Sequence, residues 1–271
     1  MADESHALPR DQGDDAGPLT ILVLVKQVPD VNAVKIDRSS GKPILGGQQV
    51  VSSYDAHAIE AALQLRDQFG GEVVVVTAGP ASAKDAISRA LAMGADRGIQ
   101  ITLDIANAVD SLATARLLAD AVRESGFDLI LAGQTADDYE TGQVGPQVAE
   151  LLELPLVSSV IGLELDGNRI MATRDMEDGH QTVETGLPAV LLISSGLNQP
   201  RYPSLKGIMG AKKKPVEQVA AGAPANSAAD RMRWGEPYVP ERTVTGTILQ
   251  DQPAADAAKQ LVAWLQDQKI I

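Results

Sequence analysis

The chain has 271 residues, a formal net charge of −13, 44% hydrophobic but only 3% aromatic residues, and no cysteine. That composition suits one large α/β domain or two small ones with a core of Ala, Val, Leu and Ile. It excludes disulfides, thiolate chemistry, Cys-ligated zinc and Fe–S clusters, and the negative balance argues against nucleic acid or an anionic membrane as the main partner.

Met1 to Pro18 is acidic and polar. It has neither the basic start and apolar stretch of a signal peptide nor the Arg-rich character of a transit peptide, so it reads as a flexible tail on a cytoplasmic protein. No apolar run approaches the roughly 20 residues that cross a bilayer, so no membrane insertion is expected. His6, His57 and His180 are far apart in the sequence, which speaks against a His-rich metal site.

Leu19 to Val25 is a continuous, β-branched apolar run of the kind a buried parallel strand uses, and Pro29 stops it from continuing. Residues 31–51 read as a loop or short hairpin punctuated by Ser39-Ser40-Gly41 and Gly46-Gly47. A helix is expected from Asp55 to Phe69, with Ile59, Ala62 and Leu63 on one face and Gly70-Gly71 as its stop. Val73 to Thr77 is a second strand, and Ser82-Ala83-Lys84-Asp85 has the spacing of a capping box that opens a second helix. Ile99 to Thr102, the helix Ser111 to Glu124, the strand Leu129 to Leu131 and a helix from Gly142 to Glu153 follow. Four strand–helix alternations within 155 residues predict a doubly wound, mainly parallel sheet, Rossmann-like in its winding. Ligands of such sheets sit beyond the carboxyl ends of the strands, which singles out loops 26–31, 52–55, 78–82 and 133–145.

The pattern then changes. Asp166-Gly167-Asn168 is a hairpin turn between two short strands, Gln181 to Glu184 is another, and together they form a small antiparallel addition. Ala189 to Ile193 is fully apolar and is expected to rejoin the main sheet. Residues 197–215 read as a surface loop that ends in Lys212-Lys213-Lys214. Residues 218–253, rich in Ala, Gly and Pro, read as an extended arm, and Ala254 to Lys269 as a last helix.

There is no G-x-G-x-x-G after a strand, no P-loop, no G-x-S-x-G elbow and no catalytic triad. This argues for binding or carrying rather than bond-making. The most informative segment is Gly133 to Pro146, GQTADDYETGQVGP. Gly142 and Gly145 allow close backbone approach, and the amides that open the following helix can hold a phosphate. Thr141 and Gln143 offer uncharged hydrogen bonds, while Asp137 and Asp138 either meet ribose hydroxyls or stand in solvent. The alternative is a Gly-rich connector with an ordinary N-cap. At Ser52-Ser53-Tyr54-Asp55, Tyr54 could pack near a cofactor while Ser52 or Asp55 caps the helix. Leu205, between Pro203 and Lys206, is either an exposed anchor for a partner or part of a solvated basic loop.

Together, VLVKQVPD (Val23 to Asp30), ALAMGADRGI (Ala90 to Ile99), AGQTADDYETGQVGP (Ala132 to Pro146) and LNQPRYPSLKGIMGAKKKP (Leu197 to Pro215) resemble the electron transfer flavoprotein beta family. The resemblance makes the sheet one of adenine-nucleotide-binding type and implies a heterodimer in which an alpha subunit holds most of an FAD and the beta subunit buries an AMP and adds a wall to the flavin site. By position it assigns the AMP to Leu24, to Ser52, Ser53, Tyr54 and Asp55, to Ala78, and to Ala136, Asp137, Asp138, Thr141, Gly142, Gln143 and Val144. It places Tyr54 and Val31 near the flavin ring and makes Leu205 the anchor that enters partner dehydrogenases. Residues 19–215 then form the nucleotide-binding domain with a recognition loop at 197–214, and 216–271 form the arm and helix that contact the alpha subunit. Implied partners are flavin dehydrogenases such as acyl-CoA dehydrogenases, as in fatty acid β-oxidation, and a quinone oxidoreductase. This sequence departs from many relatives in having Ser52-Ser53 in place of Asn-Pro, and Gly210 where a lysine is common. Its 133–145 loop is nearer in length to members that include bifurcating types, in which a second FAD takes the AMP position and NADH can bind.

Overall fold

The computed structural model describes residues 17–45, 47–103, 110–220, 235–240 and 246–271. The tail expected up to Pro18 lies almost wholly outside these residues, as does much of the arm. The strands are β1 (Leu19–Leu24), β2 (Gln27–Pro29), β3 (Lys35–Ile36), β4 (Pro43–Ile44), β5 (Gln49–Val51), β6 (Gly71–Gly79), β7 (Arg97–Thr102), β8 (Leu129–Gly133), β9 (Leu156–Asp166), β10 (Arg169–Met176), β11 (Gly179–Gly186), β12 (Ala189–Ile193) and β13 (Val216–Ala220). The helices are α1 (Ser53–Phe69), α2 (Lys84–Met93), α3 (Ser111–Val122), α4 (Val144–Leu151), α5 (Leu205–Ala211) and α6 (Ala254–Asp267).

Among the described residues the main sheet has nine strands in the order β11-β10-β9-β12-β8-β1-β6-β7-β13. Neighbouring strands pair in parallel except β9–β10 and β10–β11, whose antiparallel pairing adds an extension at one edge. The chain moves outward from β1 through β6 to β7, then returns to place β8 on the other side of β1. Because crossovers are right-handed, this reversal puts α1 and α2 on one face and α3 and α4 on the other. Two apolar clusters record the two faces: one joins Ile59, Leu63, Ile87 and Leu91 to Ile21 and Val23, and the other joins Leu118, Val122 and Val148 to Leu22 and Ile130. The largest fully buried side chains are all Ile or Leu, as the aromatic-poor composition requires. Each such side chain contributes about 1.5–3 kcal/mol when taken from water.

Three local differences from the sequence reading have physical causes. Ser82 does not cap α2: it lies in a 3₁₀ turn, Ala81–Ala83, and no side-chain cap bond is made there. That turn is held instead by Gln27 Nε2 donating to the Ser82 carbonyl at 3.1 Å and Gln100 Nε2 donating to the Pro80 carbonyl at 3.2 Å. Val216–Ala220, polar enough to read as the start of the arm, pairs with β7 at the sheet edge, where Gln218 Nε2 donates to Gln100 Oε1 at 2.9 Å. Leu205 opens a short helix capped by Ser204 Oγ, which accepts from Gly207 N at 3.0 Å, rather than sitting in a loop. Residues 31–51 form the expected excursion, with β2 against β5 and β3 against β4. Pro237–Ile271 is a separate compact unit whose helix α6 buries no residue and leaves Leu261, Val262 and Trp264 about half exposed. Among the described residues no helix is long and apolar enough to cross a membrane.

Candidate functional site

The chain reversal between β1 and β8 opens a crevice beyond their carboxyl ends, the place where such sheets receive ligands. Asp55, in the first turn of α1, bridges it. Its Oδ2 accepts from Lys26 N at 2.7 Å, just past β1, and its Oδ1 accepts from Gly133 N at 3.0 Å, the last residue of β8. Burial pushes the carboxyl up to about 7, against the two main-chain N–H bonds, which favour the ionised form. Asp55 is therefore a brace between strands and not the cap of its own helix. Gly133 is obligatory there, since a Cβ would stand 2.7 Å from Tyr54 Cβ and 2.9 Å from Asp55 N.

The cap of α1 comes from the distant loop. Ser52 occupies the N-cap position but makes no side-chain cap bond. Asp137 takes that place, accepting from Ser53 N at 2.7 Å and from Ser53 Oγ at 2.6 Å. Its neighbour Asp138 accepts from Lys26 Nζ at 2.8 Å, and the same ammonium lies 4.7 Å from the centre of the Tyr139 ring. Loop 133–143 is thus fastened across the crevice by carboxylates that reading the sequence assigned to a ligand or to solvent. The Lys26 ammonium is partly exposed, so its ion pair contributes under about 1 kcal/mol and fixes geometry more than stability.

At α4 the arrangement is the opposite. Gln143 at its N-cap gives no side-chain bond to the first turn; its Oε1 accepts from Ser111 Oγ at 2.9 Å instead. Gly142, with φ of 60°, turns the chain into that helix in a conformation that favours glycine. The first-turn amides of α4 are therefore uncapped by side chains and carry the positive end of the helix dipole. Two hydroxyls of the crevice segments, Ser52 Oγ and Thr135 Oγ1, are buried without a hydrogen-bond partner. A buried polar atom left unpaired costs about 1–3 kcal/mol, so such atoms at a crevice suit a polar ligand.

The structure gathers Ser52, Ser53, Tyr54, Asp55, Asp137 and Asp138 around the ends of β1 and β8. Leu24 ends β1 opposite Val76, two residues before Ala78 on β6, which gives the crevice an apolar side. Ala136, Thr141, Gly142, Gln143 and Val144 follow along the loop into α4. Val31 lies apart, exposed in the turn after β2. Leu205 is on α5 with 83% of its surface exposed. Sequence reasoning missed Lys26, Gln134 and Thr135. A cation directly after a buried parallel strand was the available signal for Lys26. Gln134 Oε1 accepts from Ser159 N at 2.6 Å, a long-range bond with no sequence signal.

Residues 45–224 match a family model described as electron transfer flavoprotein domain. The chain is 41% identical over 251 residues to the electron transfer flavoprotein subunit beta of Syntrophomonas wolfei, covering 92% of this chain and 96% of that one. It is 36% identical over 255 residues to the subunit of the same name from Bacillus subtilis, covering 92% and 98%. The caffeyl-CoA reductase-Etf complex subunit CarD of Acetobacterium woodii is 40% identical over 201 residues, covering 73% and 77%.

Proposed function

From the premise that this chain belongs to the electron transfer flavoprotein family, as a beta subunit and hence with a role in electron transfer, we propose that it pairs with an alpha subunit, buries an AMP in the β1/β8 crevice and adds a wall to the alpha subunit's FAD. The pair would carry electrons from flavin dehydrogenases, acyl-CoA dehydrogenases among them, to a quinone oxidoreductase. The observation that supports the AMP assignment most is the contrast between the two helix N-termini. That of α1 is filled by the Asp137 carboxylate, whereas that of α4 has no side-chain cap and can receive a phosphate.

In this reading the amides at Gln143, Val144 and Gly145 hold the phosphate, with Thr141 beside them. Ser52 and Thr135 supply hydroxyls to polar atoms of the nucleotide, and Leu24 and Ala78 provide an apolar wall for the base. Tyr54 and Val31 face the flavin side of the subunit. The flavin supplies one-electron and two-electron chemistry, and the protein sets its potential through nearby charge and hydrogen bonds. AMP does no redox chemistry and stabilises the fold by binding only its native form.

The test is nucleotide content. Ser52→Ala and Thr135→Val remove buried hydroxyls that lack protein partners. Purified with the alpha subunit, each variant is expected to retain FAD and native stability while losing AMP on dialysis faster than the wild type. Unchanged AMP retention in both variants would remove the crevice from the assignment.

A further inference from the structure

Helix α1 does more than open the crevice. Its polar residues His57, Glu60, Gln64 and Asp67 recur three, four and three positions apart, so they form one stripe along the helix. The segment that leads to α5 lies on this stripe. Asn198 Nδ2 donates to the His57 carbonyl at 3.0 Å, and its Oδ1 meets His57 Nδ1 at 3.0 Å. Arg201 closes around Glu60: Nε donates to Oε2 at 2.8 Å, one terminal nitrogen donates to Oε1 at 3.0 Å, and the main-chain N donates to Oε2 at 3.1 Å. The other terminal nitrogen donates to Asp67 at 3.0 Å.

Glu60 is a carboxylate with 4% of its surface exposed. A buried charge is tolerated only when it is paired and its lone pairs are met. Here the Arg201 fork, the Arg201 amide and Gln64 Nε2, at 2.9 Å, all point at it. Such a site defines one position for Arg201 and for the chain attached to it. Four residues further on, α5 begins, and Gly207 packs so closely on α2 that a Cβ would stand 2.4 Å from the Ala92 carbonyl. At the far end Lys214 Nζ donates to the carbonyls of Leu91 and Gly94 at 3.1 and 3.3 Å. Between these anchor points Tyr202, Leu205 and Met209 are 89%, 83% and 72% exposed. Three such apolar side chains on a fixed base form a preorganised patch, which binds without first losing the entropy of a loose loop.

We propose that the Glu60–Arg201 clamp is a positioning element for docking of the dehydrogenase. It ties the segment that leads into α5 to α1, the same helix whose first turn borders the cofactor crevice, while α5 itself packs on α2, and so sets the place of Leu205 relative to the electron-carrying site. This inference rests on the docking role of Leu205. Arginine is required because lysine offers a single ammonium and cannot bridge both oxygens of Glu60 and reach Asp67 as well.

The test uses the alpha–beta heterodimer carrying Arg201→Lys, Glu60→Gln or Leu205→Ala. Readouts are cofactor content, amide hydrogen exchange across residues 205–211, and KM and kcat for reduction by a flavin dehydrogenase. Arg201→Lys is expected to keep FAD, AMP and kcat, to speed exchange across 205–211, and to raise KM about tenfold, the factor equal to ~1.4 kcal/mol of lost docking free energy. Glu60→Gln keeps the side-chain shape, is expected to move both readouts the same way but less far, and carries the test if Arg201→Lys does not assemble. Leu205→Ala is expected to raise KM with no change in exchange. Wild-type exchange in both clamp variants, or faster exchange with wild-type KM, would overturn the proposal. A wild-type KM in Leu205→Ala would overturn the docking role itself, which separates that failure from failure of the clamp.

Discussion

The Asp55 brace predicts a pH dependence that one substitution removes. Burial lifts its carboxyl from 3.8 to about 7 in the folded chain. Between these values the folded state holds a proton that the unfolded state has released, so stability rises as pH falls through 7 towards 4 and levels off about one pH unit above 7. For one group with a folded pKa of about 7, integrating the linkage from pH 8 to pH 6 gives a gain of about 1.4 kcal/mol. Asp55→Asn cannot titrate. It keeps one acceptor, but its amide nitrogen meets either Lys26 N or Gly133 N donor to donor. The measurement is urea unfolding of the heterodimer at pH 6, 7 and 8 for wild type and variant. The difference between the two curves isolates Asp55, because every other group titrates alike in both. A wild-type curve that gains about 1.4 kcal/mol relative to Asp55→Asn over this range supports the argument. Parallel curves would show that the carboxyl is ionised throughout and that the two amide bonds outweigh its burial.

Gly133→Ala places a methyl against Tyr54 and Asp55, so it is expected to cost about 2 kcal/mol by overpacking and to release AMP, read by thermal unfolding and nucleotide content. Lys214→Ala removes the cation from the carbonyls that end α2 and is expected to lower stability by about 1 kcal/mol, whereas Lys212→Ala, exposed, stays within about 0.5 kcal/mol. Leu205→Ala is expected to slow electron entry from the dehydrogenase while FAD content holds, and an equal loss of FAD would show that Leu205 supports the fold rather than docking.

Much of the sheet was legible because buried parallel strands write themselves as apolar runs. Leu19–Leu24, Val73–Val76 and Ala189–Ile193 are such runs, and even the return of Ala189–Ile193 to the main sheet followed from its composition. β13 was not legible because an edge strand needs no apolar face; Glu217 and Gln218 look like arm, yet the segment pairs with β7 from Val216 to Ala220 and Gln218 bonds Gln100 across the pair. At the site, the loops flanking the switch point were marked by glycine and by position. Roles within them were not. Proximity along the chain assigns the cap of α1 to Ser52 or Asp55, yet Asp137 makes it from 84 residues away. Likewise Glu60 reads as one more polar helix residue until Arg201, 141 residues on, closes over it. Long-range polar pairing leaves no periodic trace, whereas apolar burial does.

The central claim, an AMP in the β1/β8 crevice beside an FAD shared with the alpha subunit, is tested most directly by acid release and quantification of cofactors from the purified heterodimer. The account predicts one FAD and one AMP per heterodimer. Two FAD and no AMP would contradict it and make the crevice a second flavin site.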